Sequence, residues 1–206
     1  MNNVVWNNVG TRSVPRRAES REVLRNGKLF YVIGPSGAGK DSLLRGARER
    51  LAGMDGIIFA HRYITRPVDP VGENHVALSP DEFQARLRQG LFAMHWASHG
   101  LWYGVGREID DWLAQGLNVV MNGSRAYLPE AARLYPEALH PVLVHVDPAV
   151  LRARLEARGR EAAEEIIERL AGALAFDSLT HPRLIVLDNS RSLEEATGTL
   201  VEALKT

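Results

Sequence analysis

Leu29-Phe30-Tyr31-Val32-Ile33-Gly34-Pro35-Ser36-Gly37-Ala38-Gly39-Lys40-Asp41-Ser42-Leu43-Leu44 is the stretch from which the rest of the chain is read. Its five opening apolar residues predict a strand, and its end has the look of a helix start. Between them, Gly34, Gly37 and Gly39 let a loop turn backbone N–H groups inward as an anion nest. The helix N-terminus adds a partial positive charge. Lys40 supplies a full charge suited to the β- and γ-phosphates of a nucleoside triphosphate. Glycines alone would mark only a left-handed turn that happens to end in lysine. Strand, glycines, lysine and helix in one register predict a triphosphate site built from Gly34, Pro35, Ser36, Gly37, Ala38, Gly39, Lys40, Asp41 and Ser42. One position departs from the usual pattern, in which a Ser or Thr hydroxyl after the lysine reaches Mg²⁺. Asp41 stands there, and Ser42 follows. Ser42 takes the metal role, or Asp41 holds the ion directly or through water, or Asp41 only favours the helix dipole. The sequence leaves the three open.

Working outward, residues 1–26 are rich in Asn, Arg and Ser, lack periodicity and read as a mobile leader. Residues 27–206 read as one α/β domain in which strands alternate with helices. Strands are predicted at Leu29–Ile33, Ile57–Ile64, Leu117–Met121, Pro141–Val146 and Arg183–Leu187. Helices are predicted near 39–51, 80–89, 107–114, 124–134, 161–179 and 193–204, with another starting at Asp147-Pro148. Ser79 reads as an N-cap with Pro80 at the first helical position, and Asp147 before Pro148 as another N-cap. Such alternation argues for a parallel sheet covered on both faces. Leu91–Ser98 and Leu101–Val105 break the rhythm as a hairpin about His99-Gly100. They belong to an insert over about 62–105 that closes over a second substrate.

Composition removes several function classes. The 206 residues carry 25 Lys and Arg against 25 Asp and Glu, so no global basic field invites nucleic acid. There is no cysteine, hence no disulfide framework and no thiolate chemistry. No apolar run approaches the ~20 residues that span a bilayer. Without an apolar signal core, a cytoplasmic protein is the default. His61, His75, His95 and His99 cluster in the insert at spacings that match no zinc motif, so sugar or phosphate contacts suit them better.

Arginines make the second constellation. Arg158, Arg160 and Arg169 surround a glycine and fit a lid, about residues 156–164, that closes over a moving phosphoryl group. Excluding water there limits wasteful triphosphate hydrolysis. Arg152 and Arg154 read as solvated helix residues, Arg152 paired with Glu156. Arg66, in Thr65-Arg66-Pro67, lies at a strand end, where open α/β sheets bind ligands, and is a candidate phosphate clamp. Asn122 lies at a similar strand end and suits a water, a hydroxyl or a metal shell. Asp188-Asn189-Ser190 faces a nucleobase or merely turns the chain. Trp96 and Trp102 read as core, and Tyr103 as a hydroxyl donor.

From Leu29 to about Leu204 the chain resembles the guanylate kinase-like P-loop kinases. The phosphate loop Gly34–Lys40, Thr65-Arg66-Pro67 followed by Gly72-Glu73, and the hairpin Phe92–Gly104 carry the resemblance, with Arg158-Gly159-Arg160 and Arg169. The departures are specific. Guanylate kinases read guanine with a serine and a glutamate, where Arg62 and Met94 stand here, and the acidic residue of their middle strand matches Asn122. Leaving guanine's donors unpaired against Met94 costs roughly 1–3 kcal/mol each. A smaller, more phosphorylated acceptor fits better. Within the family, the ribose 1,5-bisphosphate phosphokinases of phosphonate breakdown are similar through Gly34–Leu44, Gly72-Glu73-Asn74-His75 and His99–Gly104. That resemblance implies ATP and Mg²⁺ as cofactors and a small phosphorylated sugar as substrate. It implies catalysis by Lys40, Arg158 and Arg160, and acceptor binding by Arg62, Arg66, His75, Tyr103, Asn122 and Arg169. Neither nucleic acid nor membrane is an expected partner, and monomer and homodimer stay open. Two rival readings are a nucleoside monophosphate kinase with an atypical base pocket and a non-catalytic interaction module.

Overall fold

A computed structural model describes residues 26–68, 73–159, 163–174, 176 and 178–206. The expected leader lies outside the described residues except for its last position. In chain order the elements are β1 (Leu29–Ile33), α1 (Lys40–Arg50), β2 (Ile57–Phe59), β3 (Arg62–Ile64), β4 (Val76–Ala77), α2 (Pro80–Arg88), β5 (Phe92–Ser98) and β6 (Leu101–Gly106). Then come α3 (Glu108–Ala114), β7 (Asn118–Asn122), α4 (Leu128–Leu134), β8 (Leu139–His145), α5 (Pro148–Arg158), α6 (Ala163–Leu174), β9 (Ile185–Asp188) and α7 (Leu193–Lys205).

One sheet, in the order β2-β7-β1-β8-β9, is parallel throughout. β1 lies at its centre and is buried along its whole length. Phe30 and Val32 pack into a core with Leu43, Leu151 and Leu200 from the helices on one face. Leu29, Tyr31 and Ile33 pack into a second core with Ile109, Leu128 and Met121 on the other. A strand covered on both faces needs no polar alternation, which is why the opening stretch reads as one apolar run. The fold is therefore a P-loop α/β fold, as the sequence predicts.

A second sheet, β4-β3-β6-β5, is mostly antiparallel and stands over the C-terminal edge of the first. Met94, Trp96 and Val105 drop from it into the second core. The hairpin turns at His99 and Gly100, both with positive φ, the conformation of a tight two-residue connection. Ser79 Oγ accepts the Glu82 N–H at 3.1 Å and Asp147 accepts the Ala149 N–H at 2.8 Å, so both expected N-caps form.

Several boundaries differ from expectation, among them the helix predicted over 161–179, which among the described residues is α6 and ends at Leu174. The single strand predicted over 57–64 is two: β2 joins the parallel sheet beside β7, while β3 pairs with β6 in the other sheet. The chain changes sheets at Ala60-His61, a choice made by distant partners and invisible to local periodicity. β4 is a two-residue strand outside any local signal. The helix predicted from Ser124 begins at Leu128, because the segment before it is tied down elsewhere. The Tyr31 hydroxyl donates to Ser124 O at 3.1 Å and accepts the Ser124 N–H at 2.9 Å. A Cβ on Gly123 would stand 2.3 Å from the Tyr31 ring, so only glycine fits that approach.

Candidate active site

The phosphate loop follows from β1 ending in a tight turn against α1. Gly37 and Gly39 have φ of 89° and 87°, a conformation that L side chains rarely adopt. Ala38 between them is buried, and its carbonyl accepts the Asn189 Nδ2–H at 2.7 Å. Asn189 is therefore a brace under the loop, not a nucleobase contact. The lone positional signal for it was its place at a strand end. Beside it, Asp188 accepts from the backbone and hydroxyl of Ser190 and turns the chain.

Lys40 Nζ donates to the carbonyls of Gly34 and Pro35, at 2.8 and 3.0 Å. Burial lowers its pKa to about 8, against the opposing pull of the Asp41 carboxylate. Ser36 Oγ accepts from the Arg169 guanidinium, so Arg169 reaches the phosphate loop rather than the insert.

A cavity of about 630 Å³ runs from this loop to the insert. Lys40, Asp41 and Ser42 line one end, with Gly34, Ser36, Gly37 and Gly39. Arg62, Arg66 and Tyr103 line the other, with Glu73 and Trp96, and Asn122 lies beside Asp41. Four residues predicted to bind the acceptor, Arg62, Arg66, Tyr103 and Asn122, thus line the same cavity as the phosphate loop. Pro35 and Ala38 shape the loop from behind.

The Arg62 fork faces the Glu73 carboxylate in a two-pronged ion pair, both side chains only 11% exposed. Its guanidinium lies 5.0 Å from the Tyr103 ring centroid and 5.9 Å from that of Trp96. Carboxylate and rings together hold the arginine flat, a favourable cation–π arrangement. Arg66 Nε is buried with no hydrogen-bond partner. An orphaned donor on a cavity wall points to a ligand that accepts from it.

Asn122 Nδ2 donates to Asp41 Oδ1 at 3.1 Å, and Asn122 Oδ1 is buried without a partner. Burial, then the neighbouring Glu73 charge, raises the Asp41 pKa. With the Ser42 hydroxyl on the same wall, these oxygens form a donor set that suits a hard cation. Among the described residues no group of three or more His, Cys, Asp and Glu side chains could cage a metal alone.

His75 is not on the cavity wall. Its side chain is buried, with Nδ1 3.0 Å from Glu73 O and Nε2 3.1 Å from Arg66 O. It links the backbone of the two residues whose side chains enter the cavity. Met94, where a guanine-reading carboxylate would stand, is fully buried in the core. Arg158 ends α5, Gly159 follows with φ 62°, and Arg160 lies outside the described residues.

No family model matches the chain. It is 61% identical over 183 residues, 88% of this chain and 94% of the relative, to the ribose 1,5-bisphosphate phosphokinase PhnN of Thiobacillus denitrificans. The protein of that name from Psychromonas ingrahamii is 53% identical over 87% of this chain and 90% of its own. That from Desulfomicrobium baculatum is 57% identical over 82% and 89%. Among solved structures, guanylate kinase from Anaplasma phagocytophilum shares the fold, with a TM-score of 0.64 at 16% identity over 88% of this chain and 86% of its own.

Proposed function

The chain belongs to the ribose 1,5-bisphosphate phosphokinase family, and from that premise we propose how its cleft carries out the reaction. The γ-phosphoryl group of ATP passes to the 1-phosphate of ribose 1,5-bisphosphate. A new P–O bond forms from an acceptor phosphate oxygen to Pγ, the bridging bond between the β- and γ-phosphates breaks, and ADP leaves with 5-phosphoribosyl 1-diphosphate. We assign this activity to phosphonate degradation in the cytoplasm.

The attacking oxygen is already ionised at neutral pH, so no general base is needed. Catalysis is positioning plus charge stabilisation. The loop N–H groups and Lys40 hold the triphosphate. For Lys40 this means exchanging the Gly34 and Pro35 carbonyls for phosphate oxygens. Arg66 uses its unpartnered Nε on the acceptor 1-phosphate, with the Tyr103 hydroxyl beside it. Arg62, held by Glu73, walls the space in which a nucleobase would lie. Arg158 and Arg160 close over the transferring group, and Arg169 steadies the loop through Ser36. Asp41, Asn122 Oδ1 and the Ser42 hydroxyl would hold Mg²⁺, which takes one or two carboxylates and fills its remaining positions with phosphate and water. When bound, the ion neutralises charge between the β- and γ-phosphates.

The observation that supports this reading is the orphaned Nε of Arg66, a residue that lines the same cavity as the phosphate loop. The test is kcat/KM for ribose 1,5-bisphosphate and for GMP, with ATP and Mg²⁺ saturating. Hydrogen-bond-specific sites discriminate by ~10⁴ or more, and a gap of that order in favour of the sugar is expected. GMP as the better acceptor would overturn the assignment.

A further inference from the structure

A bisphosphate acceptor needs two anion subsites. Arg66 serves the phosphate that reacts, and the lysine and loop N–H groups are taken by the triphosphate. Of the other arginines lining the first cavity, Arg125 lies over the Phe176 ring, 5.0 Å from its centroid, and Arg62 has its fork occupied by Glu73. The cavity wall continues past this pair. A second cavity of about 320 Å³ opens between α1 and the side chains of Val68, Glu73 and Asn74. It meets the first at Asp41, Arg45, Glu73 and Asn122, which line both. Arg45 and Arg48 enter it from α1. The spacing Asp41, Arg45, Arg48 is i, i+4, i+7, which sets all three on one helix face.

These two arginines lack the neutralising partners of their neighbours. Among the described residues neither has a carboxylate within ion-pair distance, whereas Arg50 on the same helix pairs with Glu194. Arg48 instead lies over the Phe59 ring, 5.3 Å from its centroid. Burial works against its charge, which an anion in the cavity would relieve. The floor of Phe59, Ala60 and Val120 is apolar and suits the carbon face of a sugar.

We propose that Arg45 and Arg48 form the subsite for the acceptor's second phosphate, the one that does not react, so that the sugar lies across the junction of the two cavities. This rests on the function proposed above. It makes α1 a two-ended phosphate reader: its N-terminus faces the triphosphate, and its second and third turns face the distal phosphate of the acceptor. The arrangement explains how a site whose nearest arginine is already paired still takes a doubly phosphorylated substrate.

The test compares two acceptors, ribose 1,5-bisphosphate and ribose 1-phosphate, in the wild type and in Arg45→Gln, Arg48→Gln and the double variant. Arg45→Lys and Arg48→Lys keep the charge and control for packing, with folding followed by circular dichroism. In the variants kcat/KM for the bisphosphate should fall at least about tenfold further than for the monophosphate, the scale of one charge-assisted contact. Ribose 5-phosphate, which carries only the distal group, should weaken as a competitive inhibitor by a similar factor. The lysine variants should recover part of both losses. Equal losses for the two acceptors, or unchanged inhibition by ribose 5-phosphate, would overturn the subsite while leaving the reaction standing. A wild type inert toward ribose 1,5-bisphosphate would overturn the reaction itself, and the subsite with it.

Discussion

Lys40 shows how one side chain links burial to pH response. The ammonium is buried against two carbonyls, and desolvation brings its pKa to about 8. Below that value the free enzyme carries the charge that the phosphates need, and above it the charge is lost. Because the folded pKa is below the unfolded one, the unfolded chain holds this proton more tightly between about 8 and 10.5, so this group's effect on the unliganded protein is to raise stability with pH across that window. ATP binding works the other way, since phosphate oxygens favour the ammonium. The expected outcome is a fall in kcat/KM for ATP as pH rises through about 8, a limb that reports the free enzyme. In Lys40→Arg, whose guanidinium does not titrate in this range, that limb should vanish from whatever activity remains. A wild-type profile flat to pH 10 would refute the account. Asp41 is the companion case. The sequence could not choose between it and Ser42. The structure brings both to one wall and adds Asn122, whose amide orients the Asp41 carboxylate and leaves its own oxygen free for a ligand.

At the scale of elements, the site is made by connections rather than by strands or helices alone. The loop between β1 and α1 is held from below by Asn189, just past β9, through its bond to Ala38 O. Asn189→Ala removes that donor and leaves a buried carbonyl unpaired, at a cost of about 1–3 kcal/mol. Urea denaturation should show a loss of that size, with a raised KM for ATP and little change in acceptor KM. An unchanged KM for ATP would mean that the brace does not set the loop. The segment between β3 and β4 is the second such connection. The His75 ring nitrogens lie 3.0 and 3.1 Å from the carbonyl oxygens of Glu73 and Arg66, and Thr65 Oγ1 accepts the Trp102 N–H at 2.9 Å, so both of its ends are pinned. Arg66 and Glu73 therefore enter the cavity from fixed backbone. The sequence picked out Arg66 and His75 as ligands of one kind. The fold divides them: one side chain faces the cavity, and the other holds the chain that presents it.

For the whole molecule, the decisive feature is that the insert sheet shares a core with the main sheet. Met94, Trp96 and Val105 from the hairpin pack with Ile33, Ile109 and Met121. Met94→Ala should thus destabilise the fold by about 2–5 kcal/mol, as large-to-small changes in a packed core do. The denaturation midpoint is the measurement. A marked acceptor defect at unchanged stability would instead put Met94 in the site. Much of this architecture was legible in the chain. The run Leu29–Leu44 determined strand, phosphate loop and helix, because their signals lie within one local window and glycine, lysine and apolar residues each have few other uses in that order. The alternation of apolar runs and capped helices determined the parallel sheet, and the caps at Ser79 and Asp147 set two helix starts. Tertiary structure alone decided what depends on partners far along the chain. It split 57–64 between two sheets, since hydrogen bonding to β7 or to β6 is not encoded in the segment's own pattern. It put Glu73 on Arg62, turned His75 inward and brought Arg45 and Arg48 onto a second cavity. Charge and residue type state what a side chain can do, but whether it meets a carboxylate, a carbonyl or an open cavity is fixed only when distant segments pack.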